Sequence, residues 1–111
     1  MTVSELIQKG DFKVINEGSN LNGSILAPFC CDLLSVAMGK MPAGAAWVTV
    51  MGNINTLAVA ALTEAACIVL AEDSNLDEAA KSKAREKGIT ILKTELPIFD
   101  AALSIYRYLH A

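Results

Sequence analysis

Histidine is almost missing: His110, one residue from the end of the chain, is the sole imidazole. Cysteine is scarce too, with Cys30, Cys31 and Cys67 alone, and the adjacent pair lacks the two-residue spacer of zinc knuckles and redox motifs. No convergent metal set, and therefore no metal site, is expected. Nucleophilic catalysis needs a serine or cysteine beside a positioned base, and no lysine sits in an apolar segment where its pKa would fall. The sequence is read as non-enzymatic, with no catalytic residues and no cofactor. No apolar run reaches the roughly 18 to 20 residues of a membrane span, and MTVSELIQKGD has neither the basic nor the apolar block of a signal peptide. A cytoplasmic protein is expected.

Positive charge is also in short supply. Lys and Arg number 9 against 12 Asp and Glu, giving a net charge of -3 and a pI near 5.0. The densest basic run, Lys81, Lys83, Arg85 and Lys87, is interleaved with Asp77, Glu78 and Glu86, so it reads as a solvated helix face and not as a nucleic-acid footprint. What the chain has in excess is apolar content, 53% against the roughly 45–50% of ordinary soluble chains. A length of 111 residues suits one domain, residues 1–111, with a single modest core. Apolar surface beyond what that core hides predicts self-association as a homodimer.

The pattern along the chain alternates between two periods. Thr2-Val-Ser-Glu5 fits a capping box that opens a short helix ending near Gly10. Phe12 to Asn16 alternates like a half-buried strand, and Glu17 to Asn20 reads as a turn. Ile25 to Cys31 is a second apolar stretch, which Pro28 keeps from being a simple central strand. Asp32 is placed to cap a helix through Met38, with Leu33, Leu34 and Val36 packing and Gly39 as its stop. Ala45 to Met51 is the clearest buried strand. Ile54, Leu57, Ala58, Ala61, Leu62 and Ala65 then recur at helical spacing. A strand at Ala66–Leu70, a charged helix from about Leu76 to Lys87 stopped by Gly88, and a strand at Ile89–Leu92 follow. Pro97 opens a last helix in which Phe99, Ala102, Ile105, Tyr106 and Leu109 are expected to pack inward. Strands joined by such helices imply parallel crossovers, hence an α/β fold: a three-layer α/β/α sandwich around a mostly parallel sheet.

Two places invite a ligand. Gly52-Asn53-Ile54-Asn55-Thr56 leaves a buried strand and opens an Ala-rich helix, where free amides favour an anion or a nucleotide. It lacks the lysine and glycines of a P-loop, and a plain helix cap by Asn53 or Asn55 is the favoured of the two readings. Asp32 and Ser35 present the same choice between a ligand contact and a cap. The cysteines read as packing residues.

Taken in order, Asp32-Leu-Leu-Ser35 with Met38-Gly39, Ala46-Trp-Val-Thr49, Asn55 with Ala58-Val-Ala60, Ala66-Cys-Ile-Val-Leu70, and Gly88-Ile-Thr-Ile-Leu92 with Phe99 resemble the DRTGG domain family. That family is related to the N-terminal domain of HPr kinase/phosphorylase. The named Asp-Arg and Thr-Gly-Gly are replaced here by Asn22-Gly23 and Leu26-Ala27-Pro28, and a position often filled by histidine holds Asn53. The resemblance implies a stand-alone regulatory or accessory module without the kinase domain. It also implies a setting beside CBS domains, hydrogenases or signalling kinases. The expected function is a homodimeric, non-catalytic module that senses a small ligand or docks onto a partner protein. The alternatives are a dedicated nucleotide or anion binder and, behind it, a phosphoryl-transfer enzyme.

Overall fold

Five strands form one sheet in the computed structural model, which describes residues 1–111. They are β1 (Lys13–Asn16), β2 (Ala27–Cys30), β3 (Ala45–Thr49), β4 (Cys67–Leu70) and β5 (Ile91–Lys93), in the spatial order β1-β5-β4-β3-β2. β2 to β5 run parallel, and β1 joins the β5 edge antiparallel. The fold class is therefore α/β with a mostly parallel sheet. Every residue of β3 and β4 is buried, because both of their faces carry a helix layer.

Alternate side chains divide the core. Ala46, Val48, Cys67, Val69 and Leu92 point to a layer made of α1 (Val3–Gln8) and α5 (Ile98–Leu109), which contributes Val3, Leu6, Ala101, Ala102 and Ile105. Ala45, Trp47, Ile68, Leu70 and Ile91 point to α2 (Leu34–Lys40), α3 (Ile54–Thr63) and α4 (Glu78–Lys87) on the other side. The capping box of α1 is present: the Glu5 carboxylate accepts the Thr2 N–H at 2.9 Å, and Thr2 Oγ1 accepts the Glu5 N–H at 3.1 Å. The Thr2 bonds hold the Glu5 carboxyl below its ordinary pKa. Pro28 is accommodated because β2 is an edge strand, where a missing N–H leaves one side of the ladder intact.

Several sequence expectations change. Asp32 does not cap α2; Leu33 holds that position without a side-chain hydrogen bond, and α2 continues through Gly39 to Lys40. Leu33 and Val36 do not pack but stay 59% and 38% exposed. α3 is rotated from the expected face: Thr56, Leu57, Val59 and Ala60 are buried, while Ile54, Ala58, Ala61 and Leu62 look outward. In α5, Phe99 and Tyr106 are likewise exposed, and Cys30 sits on the surface instead of in the core. For α3 and α5 the reason is that an Ala-rich or aromatic-flanked helix offers more than one apolar stripe, and Cys30 is exposed on the edge strand β2. The sheet chooses the stripe whose side chains fit closely beneath it.

Candidate functional site

The loops at the carboxyl ends of the parallel strands are built from side chains that bond backbone. Thr49, fully buried at the end of β3, donates its hydroxyl to Asp32 Oδ1 at 2.7 Å and accepts the Met51 N–H at 3.2 Å. The same Asp32 oxygen accepts the Val50 N–H at 2.9 Å, and the Trp47 indole N–H donates to the Cys31 carbonyl at 2.9 Å. Asp32 thus ties the segment after β2 to the segment after β3. Asn53 caps α3: its Oδ1 accepts the N–H groups of Asn55 at 3.0 Å and Thr56 at 3.1 Å. Gly52 has no room for a side chain, because a Cβ there would stand 2.1 Å from the Asn75 carbonyl oxygen.

Of the sequence-derived residues, Asp32 therefore meets Thr49 and Val50, while Asn53, Asn55 and Thr56 form a separate cap. Ser35 lies exposed in the first turn of α2, outside both groups. The amides that sequence reasoning offered to an anion are already bonded to Asn53.

Further along the same end of the sheet, the chain opens. The connections after β2, β3 and β4 lead to helices on one face, whereas the connection after β5 leads to α5 on the other face. Where successive connections part in this way, the loops leave a crevice beyond the strand ends. Here it measures about 660 Å³ and runs between Gly10–Lys13, Asp73 and Lys93–Pro97. Lys93, with a side chain only 17% exposed, reaches Asp73 Oδ1 at 3.2 Å and donates to Asn75 Oδ1 at 2.7 Å. Asp11 accepts hydrogen bonds from the hydroxyls of Tyr108 and Ser104, and its bond to the Tyr108 phenol pushes that group above its ordinary pKa.

Glu72 and Asp73 both adopt φ near +56°, a left-handed conformation that side chains with a Cβ rarely take. Their amides are held by the Leu96 and Thr94 carbonyls at 2.9 Å each, so the loop beside the crevice is locked in this shape. Strain of this kind concentrates at functional loops. Pro97 leaves the first amides of α5 without a side-chain cap at the same place. The walls thus mix cations, Lys13 and Lys93, with carboxylates, Asp11, Asp73 and Glu95. This composition suits a small ligand carrying both an anionic group and hydroxyl or amine donors. A sequence signal for it existed in Lys93, a charge closing an apolar strand. That α4 and α5 leave on opposite faces is not written in either helix.

No cysteine lines the crevice or the α3 cap. Burial pushes the Cys67 thiol up to about 12, and burial, followed by the Asp32 charge, raises that of Cys30. Neither is a poised thiolate.

No family model and no curated protein matches the sequence. The fold is similar to that of the CBS and DRTGG domains of the regulatory region of Clostridium perfringens pyrophosphatase, in a crystal structure with the activator diadenosine tetraphosphate. The TM-score is 0.59 at 11% sequence identity, and the match covers 71% of this chain and 34% of the pyrophosphatase chain. The chain therefore spans about a third of the structure it matches. At that identity the likeness is one of fold: an α/β domain similar to part of a regulatory region.

Proposed function

We propose that the chain is a non-catalytic regulatory module that holds a small anionic ligand of the nucleotide class in the crevice beyond β4 and β5, and that it works as a homodimer. The parting of α4 and α5 to opposite faces carries the ligand reading, because it opens the strand ends between β4 and β5. Lys13 and the uncapped amides of α5 would meet the anionic group, and Asp11 and Glu95 the donors. The pyrophosphatase region's activator supports nucleotides as the first class to test. The other placement, Asp32, Ser35 and Gly52 to Thr56, is less favoured because its amides are already capped.

Melting temperature against nucleotides, oligophosphates and small metabolites is the direct measurement. A ligand at about 100 times its dissociation constant adds roughly 2.7 kcal/mol, a rise on the order of 10 °C for a domain of this size. Lys13→Ala, an exposed change, should abolish the rise. If Asn53→Ala abolishes it and Lys13→Ala does not, the site is at the start of α3. A flat panel removes the ligand part of the reading.

The dimer part rests on α2 and α3. The ten-residue helix α3, INTLAVAALT, carries no charge, and it exposes Ile54 (40%) and Leu62 (71%) alongside Ala58 and Ala61. Adjacent α2 adds Leu33 and Val36, so one face presents a run of apolar side chains. Sedimentation should give twice the 11.7 kDa chain mass at micromolar concentration. The double substitution Ile54→Glu and Leu62→Glu should return it to the monomer. A wild-type monomer throughout that range would disprove the dimer and leave the crevice reading standing.

A further inference from the structure

We infer that β1 is a docking edge for an extended acidic segment of a partner protein, which adds to the sheet beside it as a further strand. The sheet ends in two edges, β1 and β2. β2 carries Pro28, which can donate no ladder bond, whereas β1, Lys-Val-Ile-Asn, has every backbone N–H. One side of β1 pairs with β5, and its outer side has no strand partner. Unpaired N–H and C=O groups in a row are a template for strand addition.

Charge selects the occupant. Between β1 and the flank of α4 lies a groove of about 430 Å³ lined by Lys13, Val14, Ile15, Asn16, Lys81 and Arg85. Lys81 and Arg85, four residues apart on α4, share one face. No carboxylate lines the groove. Lys81 has a loose, exposed partner in Glu78 at 3.5 Å, and Lys13 and Arg85 form no ion pair. In a chain of net charge -3, three cations thus converge on one open strand edge. Lys13 also repels a second β1, so the device that discourages self-pairing favours an acidic strand instead. Because side chains alternate along a strand, carboxylates at every second position would face Lys13, Lys81 and Arg85. The intervening apolar residues would face the side of Val14.

This inference adds a partner chemistry to the docking role and fails separately from it: the ligand panel judges the crevice, sedimentation the α2–α3 face, and peptide binding this edge. Lys81 and Arg85 lie outside the crevice. The probe is a fluorescein-labelled, end-blocked peptide of alternating glutamate and valine, read by anisotropy. It should bind with an affinity that falls as salt rises, and bound peptide should slow hydrogen exchange at those amides of residues 13–16 that point away from β5. Lys81→Glu with Arg85→Glu should weaken it about tenfold or more. If that pair lowers the melting temperature, the double glutamine variant should show the same direction of loss. Equal binding of a lysine–valine peptide would overturn the charge argument. Equal binding of two further glutamate–valine peptides, one N-methylated at its glutamate amides and one at its valine amides, would overturn strand addition, and so would no binding at all.

Discussion

Trp47→Ala should destabilise the protein by about 3–5 kcal/mol, the range for removing a buried aromatic from a packed core. Trp47 is fully buried in the layer beneath α2 and α3, and its indole N–H holds the Cys31 carbonyl at 2.9 Å. The loss therefore combines a cavity with an orphaned acceptor in the segment that carries Asp32. Total stability for a domain is about 5–15 kcal/mol, so this one change removes a large part of it. Urea unfolding should show a lower midpoint at unchanged slope. Trp47→Phe, which keeps most of the packing and loses the hydrogen bond, should cost about 1–2 kcal/mol. A loss under about 1 kcal/mol for the alanine variant would mean that the tryptophan is not a core anchor.

Gly52→Ala should cost about 2 kcal/mol or more, the upper half of the usual range for overpacking or beyond it. The added methyl would meet the Asn75 carbonyl oxygen at 2.1 Å, its carbon at 2.9 Å and the Leu76 Cα at 3.2 Å. These are backbone atoms and cannot rotate away. Gly52 O also accepts the Asp77 N–H at 3.0 Å, so the loops after β3 and β4 touch backbone to backbone and must separate. Since the displaced loop contains Asp73 and Asn75, which hold Lys93, the variant should also lose its melting response to a crevice ligand. Gly39→Ala is the control. A Cβ there meets nothing within 4 Å inside α2, so the change should stabilise by about 0.5–1 kcal/mol. Equal stability of the two alanine variants would refute the close-approach account of Gly52.

Much of the architecture could be read directly from residue order. The capping box at Thr2 and Glu5, the stop at Gly88 and the mostly apolar, fully buried runs of β3 and β4 act over a few residues, and each is present. Asn53 as a cap was also legible, since an amide oxygen before a helical run needs only its own next three residues. Asp32 was misplaced because its partners, Thr49 and Val50, lie 17 and 18 residues away across a strand pair. An aspartate before a helix is ambiguous until that pairing exists.

The division follows from the range of the forces. Local backbone chemistry and hydrophobic period are properties of short windows, so the sequence by itself determined the elements, their order and the α/β class. Which stripe of α3 is buried, which strands become edges, and where the strand ends open depend on how elements pack together. The tertiary structure alone decided that α5 crosses to the face opposite α4, and with it the crevice around Lys93. It also decided that Lys13, Lys81 and Arg85, from a strand and a helix more than sixty residues apart, share one groove. Such juxtapositions are set by the total fit of side chains between layers, which no single segment encodes.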